Sequence, residues 1–381
     1  MKDENWNPYN INQQQPIDMD LEFLKKEISQ RFPFYDMRFN SNTVAFFCRV
    51  DKESLEENFE SLRIILSKNG YIPMLRKEHG EDIIYIIKKP RRKEKPIWVN
   101  IILLIATIIT TILTGSLLNI GVSDIYSLEN ISEIFYFNNL VTGAAYFALP
   151  LMLILFIHEM GHYFISKKHN ISASFPFFLP IPPIFPGFNI GTFGALISSR
   201  EPMADKKSLF DIGIAGPLAG FIVAIPVTVI GIAMSEIVPI GNVASGETVL
   251  GNSILFSIIT DMFHNIPKDY GLSMSLMAFA GWVGLLITSI NLLPIGQLDG
   301  GHIFRAVFGN KQKYIAWAAF IIMVFTGWWF FAFVILMMTG SSHPPPLNDE
   351  NKLDIKRKLL FISALLILII CFIPYPIYVI P

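Results

Sequence analysis

Long apolar runs restrict the fold of this chain more than any other feature. They lie at about Ile97–Leu113, Leu140–Ile165, Leu209–Glu236 and Leu272–Leu293. A helix needs about 20 mostly apolar residues to cross a bilayer, and a helix satisfies its own backbone there. Charged residues make up only 16% of the 381, against about 25% in an average soluble domain. The sequence therefore predicts a polytopic α-helical membrane protein.

The second of these runs ends in a group of ionisable residues, His158-Glu159-Met160-Gly161-His162. Such groups cost roughly 2.5–3.5 kcal/mol or more each at membrane depth unless they are paired or liganded. On a helix, His158 and His162 share one face and can reach a single Zn²⁺, while Glu159 lies beside a metal-bound water that it can deprotonate. The alternative is a pair of interfacial histidines that solvate a helix end. We expect one zinc site per chain.

A hydrolytic zinc site keeps three protein ligands, so two histidines require another donor. Asp299 is the best candidate, because Pro294 and Gly296 break the preceding helix and glycines follow the carboxylate. The other role open to Asp299 is to cap a helix Gly301–Phe308, and both roles can hold at once. His302 is a further possible metal ligand.

Asn291 is the remaining candidate for the site, at the end of the fourth apolar run. A buried amide there can donate a hydrogen bond to a substrate carbonyl or to the tetrahedral intermediate. A hydrogen bond between helices is the alternative.

Two of these motifs together resemble those of the site-2 protease family of intramembrane zinc metalloproteases. The motifs are His158–His162 and Asn291–Gly300, and the resemblance covers about 140–305. Gly191–Ala195 and Leu209–Pro217 look most like the plant chloroplast and prokaryotic branch, which carries a soluble N-terminal domain.

The resemblance implies roles for four residues. His158, His162 and Asp299 are the implied zinc ligands, and Glu159 is the implied general base. The implied substrates are membrane-spanning segments of other proteins, cut in regulated intramembrane proteolysis. A catalytically silent scaffold or chaperone, and an ion or proton transporter that uses the His/Asp cluster, are the alternative functions.

The region before the first apolar run is polar enough to fold outside the membrane. Residues 1–19 are rich in Asn and Gln and predict a disordered lead. Hydrophobic periodicity over 20–89 predicts a small domain with the order α-β-β-α-β-β, which reads as two copies of an α-β-β unit. This domain has no His/Cys cluster and no phosphate-binding loop, so we expect binding or regulation from it.

A basic linker at 90–96 separates this domain from a transmembrane protease domain at 97–381. Together with Lys88 and Lys89 it carries six basic residues. The positive-inside rule therefore predicts a cytoplasmic N-terminal domain in a multi-pass protein of the cell membrane, although a linker that touches anionic lipid would look the same. At about 1.5 Å per helical residue, the histidines lie about 8–14 Å from the cytoplasmic boundary at Lys167.

A proline-rich stretch follows the histidine helix at 175–190 and is too apolar for an ordinary loop. We expect it to re-enter the membrane level against protein. Gly191–Ser199 then predicts a strand or hairpin, which either pairs with an extended substrate or only closes the local fold.

The C-terminal third leaves the number of spans open at six or seven. Tyr314–Met338 is one apolar run, followed by Leu359–Ile380. A single span over the first run would place Lys352 and Lys356 outside, against the charge rule, whereas two spans need more residues than the run supplies. A bent or re-entrant pair of helices around Thr326-Gly327 is the third arrangement.

The expected partners are the lipid bilayer and transmembrane protein substrates. The net charge of −1 gives no reason to expect nucleic acid, and the oligomeric state is not fixed by the sequence. Cys48 lies in a predicted strand of the soluble domain and Cys371 lies in the last apolar segment, so they suggest neither a disulfide framework nor a cysteine zinc site.

Overall fold

The computed structural model describes residues 19–90, 96–121, 132–183, 189–197, 201–239, 248–340 and 343–379. The predicted disordered lead up to residue 18, and residues 91–95 of the predicted linker, lie outside these ranges. Two compact units emerge. The N-terminal unit comprises Met1–Glu94, Pro202–Leu209 and Pro344–Leu353, and the membrane unit comprises Lys95–Glu201, Phe210–His343 and Asp354–Pro381.

The N-terminal unit has its helices and strands in the predicted order. Its four strands form one antiparallel sheet with the order β1-β2-β4-β3, so that two hairpins meet through their second strands. The elements are α1 Leu21–Ser29, β1 Phe34–Phe39, β2 Thr43–Cys48, α2 Leu55–Lys68, β3 Tyr71–Glu78 and β4 Glu81–Lys88.

Alternation along the strands divides the core of this unit between the two faces of the sheet. Ile84 and Ile86 lie in the larger cluster with Leu62 of α2, whereas Ile83 and Tyr85 lie in a smaller one. Successive side chains of a strand point to opposite faces, so a strand with both faces covered reads as a continuous apolar run.

Two segments from far along the chain complete this unit at the β3 edge of the sheet. The Leu75 N–H donates to the Leu347 carbonyl at 2.8 Å, and Leu347 is buried in the same core as β3. The N–H groups of Leu347 and Asn348 donate in turn to the carbonyls of Met203 and Ala204, both at 2.8 Å. The unit is therefore larger than the predicted residues 20–89. The sequence does not indicate the two added segments, because long-range backbone bonds leave no periodic signal.

Three helices of the described part of the chain are long and apolar enough to cross a membrane. They are α3 Ile97–Ile120, α4 Phe137–Lys168 and α5 Lys206–Ala233; α4 contains a π-helical segment at Ala144–Ala148. The shorter helices are α6 Ile254–Phe263, α7 Leu276–Asn291, α8 Asp299–Phe308, α9 Gln312–Phe325, α10 Trp329–Thr339 and α11 Ile355–Cys371. Short antiparallel pairs join β5 Phe177–Pro180 to β6 Thr192–Leu196, β7 Glu236–Pro239 to β9 Tyr270–Ser273, and β8 Thr248–Leu250 to β10 Ile377–Val379.

Glycines allow the membrane helices to approach closely. A Cβ on Gly115 of α3 would lie 2.7 Å from the Gly143 carbonyl oxygen of α4. A Cβ on Gly231 of α5 would lie 2.2 Å from the Ala278 nitrogen of α7. Lipid tails are as apolar as leucine, so helices in a membrane associate through such packing rather than through the hydrophobic effect.

The apolar run Tyr314–Met338 is not one continuous helix. It breaks after α9 at Thr326, and Gly327 takes a φ of +79°. At 1.5 Å per residue, α9 and α10 are about 21 and 17 Å long, so neither spans a bilayer core of about 30 Å alone. The His343 N–H donates to Gln312 Oε1 at 3.2 Å. The chain therefore returns after α10 to the beginning of α9, and the two helices form a hairpin.

The proline-rich stretch forms a β-hairpin that is fastened to α3. Its strands are β5 and β6; residues 184–188 and 198–200 lie outside the described part of the chain. The Asn100 side chain donates to the carbonyls of Phe175 and Pro176 at 2.7 and 3.0 Å, and the Thr110 hydroxyl donates to the Gly191 carbonyl at 2.7 Å. Prolines supply no N–H, so this stretch has few backbone donors for its own carbonyls. Polar side chains of α3 donate to these carbonyls instead.

Candidate metal centre

Three side chains from two helices converge on one point inside the membrane unit. His158 Nε2 and His162 Nε2 lie 3.2 Å apart. Asp299 Oδ2 is 3.3 Å from the first nitrogen and 3.2 Å from the second. Within the described residues, these side chains form the one group of three or more His, Cys, Asp or Glu with ligand-type atoms within 4.8 Å of one another.

The spacing of these donors fits a tetrahedral zinc ion. Zinc binds histidine nitrogen at about 2.0–2.1 Å and carboxylate oxygen at about 2.0–2.2 Å. Two ligands of a tetrahedral ion at such distances are about 3.3–3.5 Å apart. The observed separations of 3.2–3.3 Å nearly match this value. Two neutral nitrogens and one carboxylate oxygen, with a fourth position left for water, also make a donor set that zinc hydrolases use.

The helix α4 supplies both histidines because a four-residue spacing returns to the same face. Their ring centroids are 4.9 Å apart. Both residues are buried, with 4% and 8% of their surface exposed. The two imidazoles thus lie on one side of α4.

The turn between α7 and α8 brings Asp299 to the histidines. Asp299 is the first residue of α8, and Leu298 occupies the N-cap position without a side-chain cap. The N-cap alternative for Asp299 is therefore wrong. A Cβ on Gly300 would lie 2.1 Å from the Leu292 carbonyl oxygen, and one on Gly301 would lie 2.2 Å from that of Gly296. The two glycines let the chain fold back tightly, which turns the carboxylate toward α4.

The helix α5 supports the histidines from behind. His162 Nδ1 lies 2.7 Å from the Ile212 carbonyl oxygen, which can only accept, so Nδ1 carries the proton and Nε2 is left free to bind a metal. A Cβ on Gly216 would lie 2.0 Å from His162 Nε2, and one on Gly220 would lie 3.1 Å from His158 Cβ. The sequence does not indicate the role of Ile212, because a backbone carbonyl leaves no residue-type signal.

Glu159 and Asn291 lie beside the three donors. Glu159 directly follows His158 on α4 and is 7% exposed. Asn291 Nδ2 is 3.4 Å from His158 Nε2 at the end of α7. The structure thus gathers all five predicted site residues in one place.

His302 is not among the gathered donors. Its ring packs edge to face against His343, with centroids 4.3 Å apart. It is absent from the group formed by His158, His162 and Asp299. His302 follows Asp299 by three residues on α8, and the direction of its ring was not readable from that spacing.

Comparisons with known proteins agree with this geometry. The family model for peptidase family M50 matches residues 146–332. The chain is 30% identical over 179 residues to "Probable zinc metalloprotease EGY1, chloroplastic" of Oryza sativa subsp. japonica, covering 46% of this chain and 30% of that protein. It is 34% identical over 166 residues to "Probable zinc metalloprotease EGY2, chloroplastic" of Arabidopsis thaliana, covering 43% and 29%. No solved structure matches.

The alignments span less than a third of the length of these two plant relatives. The matched region nevertheless contains both motifs, with His158–His162 near its beginning and Asn291–Gly300 before its end. The resemblance read from these motifs is thereby confirmed. Residues 146–332 of this chain match peptidase family M50, the family of the site-2 proteases.

Proposed function

We propose that this protein is a zinc-dependent endopeptidase that cuts membrane-spanning segments of other proteins. The carrying observation is the convergence of His158, His162 and Asp299, at metal-binding distances, within a unit of apolar helices. Glu159 follows the first histidine and is buried beside the donors. A silent scaffold would have no use for this carboxylate, and an ion transporter would not require it at that position.

The mechanism assigns a separate task to each residue. His158, His162 and Asp299 hold the ion, which when bound lowers the pKa of water and polarises a carbonyl. Glu159 accepts the proton of the attacking water and then delivers it to the leaving amine. The Asn291 side-chain amide donates a hydrogen bond to the substrate carbonyl oxygen, where negative charge develops.

Cleavage also requires that the substrate be unwound, because the carbonyls of a helix are already paired. We propose that β6 holds the unwound segment by strand addition. Among the described residues β6 pairs with β5 along one edge, and α3 fixes the position of this hairpin through Asn100 and Thr110. The unwound segment would pair along the other edge of β6.

Proline substitutions test this strand. Neighbouring N–H groups of a strand point to opposite edges, so Ala195→Pro and Leu196→Pro remove one donor each toward β5 and toward the substrate edge. We expect the substrate-edge variant to lose cleavage while it keeps its metal. Full cleavage by both variants would overturn the capture role.

We further propose five membrane crossings. The long helices α3, α4 and α5 make three of them, and the shorter α7 and α11 make two together with the apolar residues that flank them, while the α9–α10 hairpin re-enters from the cytoplasmic side. Three observations support this arrangement, which has fewer spans than the six or seven expected. The hairpin returns to its own start. Residues 344–353 belong to the N-terminal unit, which we expect on the cytoplasmic side of the cell membrane because of its basic linker. The C-terminal strand pairs with the segment between α5 and α7, through Ile377 and Leu250.

Single cysteines test the topology in intact cells. Lys352→Cys and Tyr375→Cys both lie at exposed positions. An impermeant thiol reagent should label Tyr375→Cys and leave Lys352→Cys unlabelled until the membrane is opened. Labelling of both in intact cells would contradict the re-entrant hairpin.

The activity itself is tested by co-expression with tagged single-span membrane proteins. Cleavage within the span should occur with the wild type and not with Glu159→Gln at matched expression. Equal cleavage by both forms would contradict the proposed reaction. Asn291→Ala should reduce cleavage without abolishing it, since one donor to a developing oxyanion contributes about 10²–10³-fold.

A further inference from the structure

We propose that His169, Asp211 and Arg357 form a polar clamp that positions His162 for metal binding. The inference rests on the metal centre of the proposed function. The three residues are not among the donors and act through the backbone of α5, so they are positioning residues rather than catalytic ones. Arg357 also lies beyond residues 146–332, the part of the chain that matches the family.

The clamp joins three helices of the membrane unit through one carboxylate. Arg357 of α11 donates from Nε to Asp211 Oδ1 at 2.7 Å and from Nη2 to Oδ2 at 2.5 Å. His169, at the end of α4, lies with Nε2 2.9 Å from the same Oδ2. A carboxylate only accepts, so this imidazole nitrogen donates. The side chains are 19–22% exposed, which makes the group partly buried rather than a surface pair.

The carboxylate is connected to the metal centre through the backbone of α5. Asp211 directly precedes Ile212, whose carbonyl accepts from His162 Nδ1 at 2.7 Å. This hydrogen bond sets the tautomer and the ring direction of a metal-binding histidine, and loss of such a support typically costs 10–100-fold in metal affinity. Whatever fixes residues 211–212 therefore fixes His162.

The histidines of α4 repeat the connection. His169 follows His162 by seven residues, which is two helical turns, so both rings lie on the same face of α4. One contacts the Ile212 carbonyl and the other contacts the Asp211 carboxylate. The two helices are thus joined at two points along one line.

The glycines of α5 explain why a polar connection is needed here. A side chain at Gly216 would overlap the His162 ring, and one at Gly213 would lie 2.8 Å from His302 Cβ. Because α5 presents few side chains to the centre, interdigitation sets its position along α4 only weakly. A bidentate arginine–carboxylate pair is directional and resists sliding.

The test compares two arms of the same arginine in the full-length protein in detergent. Arg357→Ala removes the arginine of the clamp, and Asp211→Asn removes the charge and one of the two acceptor oxygens of its carboxylate. Asp354→Asn is the control, because Arg357 Nη1 also pairs with Asp354 Oδ2 at 2.5 Å on the exposed side. Asparagine at 354 still caps α11, as aspartate does through the Arg357 N–H.

Zinc affinity by chelator competition and the visible spectrum of the Co²⁺-loaded protein are the readouts. We expect Arg357→Ala and Asp211→Asn to weaken zinc binding about 10–100-fold and to shift the Co²⁺ bands, while Asp354→Asn stays within twofold of the wild type. Arg357→Lys keeps the positive charge but cannot make the bidentate hydrogen bond. Its zinc affinity should lie between that of Arg357→Ala and that of Asp354→Asn.

Three outcomes overturn the clamp. The first is a wild-type zinc affinity and Co²⁺ spectrum in Arg357→Ala, which would show that the clamp does not act on His162. If Arg357→Ala does not fold, the same result in Arg357→Lys and Asp211→Asn has the same meaning. An equal loss in Asp354→Asn would reduce the effect to the fold of α11. A wild type that binds neither metal would overturn the metal centre, and with it the clamp, whereas a wild type that binds zinc with unaffected variants overturns the clamp alone.

Discussion

The two units of this protein differ in how much apolar surface they expose and in which ionisable side chains they bury. In the N-terminal unit, Phe46 and Leu62 are fully buried. In the membrane unit, Ile102 of α3 is 55% exposed, whereas His158 and Glu159 are only 4% and 7% exposed. The first unit is apolar inside. The second exposes many apolar residues at its surface and buries ionisable residues among the apolar ones inside.

This difference follows from the solvent of each unit. Water drives apolar side chains of the N-terminal unit into a core, with about 25 cal/mol gained per Å² buried. Lipid exerts no such force, so the membrane unit depends on close contact between small residues and on polar bonds. Equivalent substitutions should therefore have unequal effects in the two units.

A glycine in the membrane unit should give the largest effect. Gly216→Ala puts a Cβ at a position 2.0 Å from His162 Nε2, where it displaces the ring. We expect zinc binding to fall at least about 100-fold, beyond the loss typical of a supporting hydrogen bond. Gly220→Ala is the graded control, because its Cβ would stay 3.1 Å from His158. Equal zinc content in both variants, measured by metal analysis, would contradict the close packing of α5.

Core truncation in the N-terminal unit should come next. Leu62→Ala removes a fully buried side chain and should lower the free energy of unfolding of this unit by about 2–5 kcal/mol. Ile102→Ala removes a side chain of similar size from the exterior of α3 and should change stability by less than about 0.5 kcal/mol. Hydrogen exchange of the full chain in detergent measures the first, and thermal denaturation the second. Comparable losses would erase the distinction between the units.

The N-terminal unit should also weaken at alkaline pH through Cys48. Burial, with a smaller contribution from the charge of Asp82, raises the pKa of this thiol from 9.0 to about 12. The folded state thus holds the proton more tightly than the unfolded state. Its stabilising contribution is complete below pH 9 and is lost as the pH rises toward 12. In a Cys371→Ser background, iodoacetamide should react with Cys48 at the rate of unfolding, and rapid alkylation at pH 8 would contradict the burial.

An exposed ion pair within the N-terminal unit should have the smallest effect. Lys207 Nζ lies 2.6 Å from Glu56 Oε2, with side chains 26% and 52% exposed. Lys207→Ala should cost no more than about 1 kcal/mol, and less at high salt. A larger loss by hydrogen exchange would mean that this pair, rather than the backbone bonds of Leu347, holds the segment 202–209.

Local patterns were sufficient to predict what depends on spacing along one helix or strand. The four-residue separation of His158 and His162 predicted that both lie on one face of a helix. Hydrophobic periodicity predicted the order of helices and strands along the N-terminal unit. Asp299 could be predicted because glycines and a proline mark a turn, and Asp299 is the only residue of that turn with a carboxylate. Each of these features is written within about ten residues of sequence.

Contacts between distant parts of the chain were beyond such patterns. The return of the α9–α10 hairpin depends on Gln312 and the His343 N–H, and the pairing of Leu75 with Leu347 depends on two backbones. The bond between Asp211 and Arg357 joins residues 146 positions apart. A single sequence shows which residue types stand at these positions, but it does not show which residues they contact.

The central claim is that His158, His162 and Asp299 bind the metal while Glu159 does not. Zinc content per chain, measured together with cleavage in purified wild type, Asp299→Ala and Glu159→Gln, tests it most directly. The account predicts about one zinc in the wild type and in Glu159→Gln, which should nevertheless be inactive, and little zinc in Asp299→Ala. Normal zinc in Asp299→Ala, or release of zinc by Glu159→Gln, would contradict it.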